Sequence, residues 1–129
     1  MESYHIRGGN RISGEYNVKG AKNAALPILA ATILSGAECQ LSNIPQITDV
    51  CSMKKILNEL GCKTDTSDET IIVDSRELVA DTISLKRMRE MRSSVFLLGA
   101  LLGRCGSAVI SQPGGCNIGS RPIDLHLYA

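Results

Sequence analysis

The chain has 129 residues, 43% of them hydrophobic and 21% charged, with a formal net charge of +1. That length suits one ordinary domain, able to bury roughly two-thirds of its unfolded surface, and the composition excludes a disordered polymer. The near-neutral balance excludes a nucleic-acid binder that works through a broad positive field, and with 3% aromatics and no Trp the core must be built from Leu, Ile, Val, Ala and Met.

Tyr4 to Arg7 reads as a short strand, Gly8-Gly9-Asn10 as a turn and Gly14 to Val18 as a second strand. Asn23 to Leu34 is rich in Ala and Leu and stops at Ser35-Gly36, which predicts a helix with a glycine terminator and Pro27 near its first turn. Being apolar nearly all round, it is expected to be buried on most faces. Cys39 to Ile44 alternates as a strand ending at Pro45. Thr48 or Asp49 then caps a helix through Leu60, with Val50, Met53, Ile56, Leu57 and Leu60 on one face and Gly61 beyond its end. Strands follow at Cys62 to Thr66 and Thr70 to Asp74, turned by Ser67-Asp68-Glu69. Ser84 opens a long helix over Leu85 to Arg104, apolar all round from Val95 to Leu102. Ser107 to Ser111 reads as a strand, Gln112 to Pro122 as a Gly-rich loop, and Asp124 as the start of a helix cut off at Ala129.

An internal repeat runs through this order. Ile28 to Ile33 matches Leu97 to Leu102 at an offset of 69 residues, and Leu41-Ser42 matches Ile110-Ser111 at the same offset. One unit reads helix, strand, helix, strand, strand, and a second has only begun at Ala129. A helix apolar on all sides needs neighbours on several sides, so a truncated chain is expected, its missing partner being the C-terminal part of the same protein.

The five cysteines, Cys39, Cys51, Cys62, Cys105 and Cys116, are odd in number and irregularly spaced, with no C-x-x-C pair. This disfavours a disulfide framework or zinc site and fits a reducing cytoplasm. Neither a signal-peptide core nor an apolar run of membrane-spanning length occurs in these residues. No metal, cofactor or membrane partner is expected.

Three places carry possible chemistry. Lys22, after the Gly20 turn and just before an apolar helix, either holds an anion against free helix N–H groups or is an ordinary surface lysine. Arg92, at the edge of the most apolar stretch, is either a snorkelling side chain or a fork for phosphate or carboxylate. The basic run Lys86, Arg87, Arg89 reads as a solvated helix turn. In the loop 113–122 three glycines permit close approach to a ligand, and Cys116 near Arg121 sits where positive charge would make a thiol reactive. The alternative there is a linker with an incidental cysteine. The other four cysteines read as packing residues. His5 and His126 show no catalytic partner, and Asp49, Asp74 and Asp124 read as helix caps or strand ends.

The segments Gly20 to Leu29 (GAKNAALPIL) and Pro113 to His126 (PGGCNIGSRPIDLH), with Met91-Arg92-Ser93-Ser94, closely resemble segments of the UDP-N-acetylglucosamine enolpyruvyltransferase family, in the same order and at fitting separations. The resemblance implies a partial inside-out α/β barrel, built from repeated helix-strand-helix-strand-strand units. Residues 1–20 would belong to the second domain of a longer protein and 21–129 to the first part of the substrate-binding domain. It further implies transfer of the enolpyruvyl group of phosphoenolpyruvate to the 3′-hydroxyl of UDP-N-acetylglucosamine, by addition and elimination, in cell-wall precursor synthesis.

The same resemblance gives the residues their roles. Lys22, Asn23 and Arg121 would contact phosphoenolpyruvate. Arg92, Arg121, Pro122, Ile123, Asp124 and Leu125 would contact the UDP-sugar. Cys116 would be the general acid, able to form an adduct with phosphoenolpyruvate and open to alkylation by fosfomycin. Phe96 stands where some members carry Trp, and Asn117 where many carry Thr. The rival readings are the related transferase acting on shikimate 3-phosphate, which the Cys116 loop disfavours, and a fragment that only binds UDP-sugar. The 129 residues alone are expected to be inactive.

Overall fold

Helix α1 (Lys22–Ser35) lies at the centre of the fold, and a computed structural model describes the chain over residues 3–111 and 122–128, at Arg92 the backbone alone. β1 (Glu38–Leu41), α2 (Thr48–Glu59), β2 (Lys63–Ser67) and β3 (Thr70–Asp74) complete the first unit. They are followed by α3 (Leu85–Glu90), a 3-10 turn (Arg92–Val95), α4 (Phe96–Cys105) and α5 (Asp124–Tyr128). The three strands form one antiparallel sheet in the order β1-β3-β2, with Cys39 opposite Val73 and Thr64 opposite the same residue on the other side. This is the expected helix-strand-helix-strand-strand unit of a partial α/β fold.

Burial follows the apolar pattern. In α1, Leu26, Leu29 and Ile33 are fully buried. They meet Val50, Met53, Ile56 and Leu57 of α2, Ile71 and Val73 of β3, and Leu97 and Leu101 of α4 in one continuous core. The glycine terminator is as read: Gly36 adopts φ 59°, in the left-handed region. At the same end Ser75, fully buried, donates its hydroxyl to the Thr32 carbonyl at 2.9 Å and ties β3 to α1. The C-terminal ends of α1 and α4 lie together. Leu34 packs where a Cβ on Gly103 would fall, and the Arg104 guanidinium packs where one on Gly36 would.

Several expectations are corrected. The strands foreseen in residues 4–18 are absent: residues 3–19 carry no helix or strand and are exposed, including Tyr4, Ile6, Ile12, Tyr16 and Val18. A hairpin with no sheet to join is marginal in water, which is the physical reason. The single helix over Leu85 to Arg104 is broken at Met91, whose backbone is extended (φ −150°, ψ 125°). There the buried Ser94 donates both its hydroxyl and its N–H to the Met91 carbonyl, at 2.7 and 3.3 Å, competing with a helical bond. Burial of Met88 and Met91 supports the kink.

The helices are also less enclosed than an all-round apolar pattern suggests, since Ile28, Leu34, Phe96 and Leu102 are each 42–52% exposed. The strand foreseen at Ser107 to Ser111 is reduced to one parallel bridge between Val109 and Thr82. Neither Thr48 nor Asp49 caps α2, because Ile47 occupies that position. Ser84 does precede α3, but it makes no side-chain cap.

Gly36→Ala is expected to destabilise the chain by about 1–2 kcal/mol, because an L-residue with a side chain pays that much for the left-handed conformation. A lowered urea midpoint with unchanged slope would report it.

Candidate functional site

The N-terminal ends of α1 and α2 meet, and that junction holds Lys22 and Asn23, two of the sequence-foreseen site residues. Lys22 is the first residue of α1, and its ammonium is ion-paired with the carboxylate of Asp49 in the first turn of α2. The Lys22 side chain is 51% exposed and that of Asp49 33%. The α1 ladder starts with the N–H groups of Ala24 and Ala25 donating to the Ala21 carbonyl at 3.1 and 2.9 Å. The N–H groups of Lys22 and Asn23 therefore lie ahead of it, at the positive end of the helix dipole. Pro27 sits one turn further in and, lacking an N–H, leaves the Asn23 carbonyl without its helical donor. A cation beside unclaimed N–H groups is suited to a small anion carrying phosphate or carboxylate.

The approach to Lys22 is clamped. Gly20 donates its N–H to the Asn43 side-chain oxygen at 3.1 Å, and a Cβ on Gly20 would collide with the Asn43 carbonyl oxygen. Asn43 adopts φ 57°, a left-handed turn conformation that Asn tolerates better than most residues. Lys19 pairs with Glu69 in the β2–β3 turn. That turn also holds the 43–47 loop, through Ile44 N–H to the Glu69 carbonyl at 2.9 Å and Gln46 Nε2 to the Asp68 carbonyl at 2.8 Å. Sequence reading missed both Asp49 as partner and Asn43 as anchor. Asn before Ile-Pro was a turn signal, but nothing in it points back to Gly20.

The other foreseen site residues are spread over the second unit. Arg92 begins the 3-10 turn directly after the break at Met91, so its backbone position follows from the Ser94 bond that makes the break. Pro122 and Ile123 lead into α5, with the Ile123 carbonyl accepting from the N–H groups of His126 and Leu127 at 2.9 and 3.1 Å. Asp124 and Leu125 form the first, exposed turn of α5. Cys116 and Arg121, with most of the Gly-rich loop, lie outside the described residues. No group of three His, Cys, Asp or Glu side chains among the described residues is placed to hold a metal ion. No helix among them is long and apolar enough to cross a membrane.

The remaining cysteines do not all behave as packing residues. Cys62 is buried at the start of the sheet hairpin, and burial pushes its thiol up to about 11, with Asp74 adding to the effect. Cys51 and Cys105 are exposed, which corrects the reading of both as packing residues. Each lies near a helix end on a polar face, where an apolar neighbour in sequence does not enforce burial.

Comparison with known proteins follows the same outline. A family profile described as EPSP synthase (3-phosphoshikimate 1-carboxyvinyltransferase) matches residues 6–129. UDP-N-acetylglucosamine 1-carboxyvinyltransferase 2 of Caldanaerobacter subterraneus subsp. tengcongensis is 52% identical over 127 residues, covering 98% of this chain and 30% of that protein. UDP-N-acetylglucosamine 1-carboxyvinyltransferase of Acinetobacter baylyi is 43% identical over 129 residues, covering 31% of its own length. The crystal structure of the enolpyruvyl transferase NikO from Streptomyces tendae superimposes with a TM-score of 0.69 at 27% identity, over 78% of this chain and 24% of that one. The chain thus spans about 30% of the length of the curated relatives it matches.

Two outcomes follow from the geometry. Gly20→Ala is expected to destabilise the chain by about 1–3 kcal/mol through overpacking against backbone. Gly8→Ala, where a Cβ meets nothing within 4 Å, leaves the urea midpoint unchanged. Iodoacetamide at pH 8 is expected to alkylate Cys51 and Cys105 at least ~10-fold faster than Cys62, as read by peptide mass mapping. Equal rates would mean that the start of β2 opens readily to solvent.

Proposed function

We infer the function from one premise: this chain belongs to the EPSP synthase (3-phosphoshikimate 1-carboxyvinyltransferase) family. Within that family we propose that it is part of an enzyme that moves the enolpyruvyl group of phosphoenolpyruvate to the 3′-hydroxyl of UDP-N-acetylglucosamine. The observation that carries this choice of acceptor is the 52% identity, along 98% of the chain, to a UDP-N-acetylglucosamine 1-carboxyvinyltransferase. The Pro113 to Pro122 segment with Cys116 supports it.

In the proposed reaction the sugar hydroxyl adds to C2 of phosphoenolpyruvate while C3 takes up a proton, giving a tetrahedral phosphoketal. Loss of a proton from C3 and of the phosphate group then regenerates the double bond in the product. Protonation of C3 creates an oxocarbenium-like centre and needs a positioned acid, the role proposed for Cys116. The same thiol would form the adduct with phosphoenolpyruvate and take the alkyl group from fosfomycin. Phosphoenolpyruvate carries a phosphate and a carboxylate, so several cations must converge on it. Lys22, with Asn23 beside the free end of α1, is proposed to supply one contact and Arg121 another. Arg92, Arg121, Pro122, Ile123, Asp124 and Leu125 are proposed to receive the UDP-sugar.

Residues 1–20 are proposed to pair into a second domain and 21–129 to form the first part of the substrate-binding domain. The exposed alternating side chains Tyr4, Ile6, Tyr16 and Val18 support that assignment, because such a segment gains its burial from a sheet that it joins. We place the work in the cytoplasm, early in peptidoglycan precursor synthesis.

Phosphate release from phosphoenolpyruvate tests the reading, with the complete gene product and the 129-residue chain each offered UDP-N-acetylglucosamine or shikimate 3-phosphate. Release is expected from the complete protein with the UDP-sugar alone, and none from the 129 residues, which span about 30% of the relatives' length. Release with shikimate 3-phosphate instead would move the acceptor to the one in the family's description. Turnover by the 129 residues would overturn their proposed inactivity.

A further inference from the structure

Lys22 reaches its place by two independent restraints. Its backbone is set by the Gly20–Asn43 contact behind it and by Leu26, fully buried one turn ahead. These leave the four-carbon stem free, and a lysine stem is flexible enough to carry its charge over several ångströms. The ion pair with Asp49 restricts that remaining freedom. Asp49 is itself held, because Val50 and Met53 beside it on α2 are buried in the core. The pair is asymmetric: the carboxylate is the more enclosed partner, and the ammonium keeps about half of its surface toward solvent, where a second anion can reach it.

We propose that Asp49 is a positioning residue for Lys22 in the enolpyruvyl transfer inferred above, aiming the ammonium at the incoming anion rather than touching substrate itself. The proposal rests on that functional reading. Two opposing effects act on any anion that Lys22 binds. Asp49 repels the anion and competes for the cation, which weakens binding. It also holds the cation in one orientation, which assists the reacting geometry. Its loss therefore separates the two kinetic constants, whereas loss of a residue that merely stabilises the fold does not.

The test uses the full-length protein carrying Asp49→Asn, Asp49→Glu, Lys22→Met and the Asp49→Asn/Lys22→Met pair. Glu77→Gln removes a remote carboxylate, paired with Lys63, as control. Asp49→Asn is expected to lower kcat by about ten- to hundredfold, with the KM for phosphoenolpyruvate level or reduced. Asp49→Glu regains part of the loss, Asp49→Asn adds nothing to Lys22→Met, and Glu77→Gln matches the native protein. A raised KM at unchanged kcat, or native kinetics in Asp49→Asn, overturns the proposal.

A second readout is the rate of acylation of Lys22 by limiting acetic anhydride, followed by peptide mass. In Asp49→Asn it is expected to rise about two- to fivefold, the range of an exposed ion pair. An unchanged rate overturns the proposal. If the native full-length protein releases no phosphate with UDP-N-acetylglucosamine, it is the functional reading that has failed, and acylation still decides whether Asp49 holds Lys22.

Discussion

Burial of α1 is the constraint on which the rest of the chain depends. α2, β1, β3 and α4 all pack on it, and Leu26, Leu29 and Ile33 lose all contact with water there. Each such side chain contributes about 1.5–3 kcal/mol relative to exposure. The helix has little intrinsic capping to help it: Ala21 makes no side-chain cap, and Pro27 interrupts the ladder. Its stability is therefore tertiary, and the position of its first residue, Lys22, is inherited from the core rather than from local propensity. For the anion contact proposed for Lys22, attachment to a helix this deeply buried fixes where the side chain starts.

The same dependence explains what could be read from the sequence. α1 was legible because a run of Ala and Leu followed by Ser-Gly satisfies both burial and termination without reference to anything distant. The β2–β3 hairpin was legible because Ser67-Asp68-Glu69 makes a local turn, with Asp68 at φ 50°. The kink at Met91 was not, since apolar periodicity continues through it. What breaks the helix is a serine hydroxyl choosing a carbonyl three residues back, and burial of two methionines makes that choice hold. Residues 3–19 misled in the opposite direction. Their alternation is that of a strand, but alternation records which side chains seek burial and does not supply the edge to pair with.

For the site, Lys22 was legible as a cation at a helix start, while its partner was not. Asp49 looked like a cap because an acidic residue opening a helix usually has that local use. Here Ile47 takes the cap position, which frees Asp49 to face another helix. Helix pairs meet through packing that no short window of sequence encodes. Arg92 stands between these cases: the motif around it was recognisable, and the break at Met91 accounts for the serine at position 94.

The contact of Arg104 with Gly36 has a consequence for cooperativity. Gly36 closes the first repeat's leading helix, and Arg104 comes from the last turn of the equivalent helix in the second. The open carbonyl end of α1 therefore has a guanidinium from the next unit beside it, with Leu34 and Gly103 in close approach one step earlier. In a stack of repeats the nearest-neighbour interface carries much of the stability. Here that interface includes the helix terminus itself. Loosening α4 therefore uncovers the end of α1 as well as its side, and the contact ties the second unit to the terminus of the first.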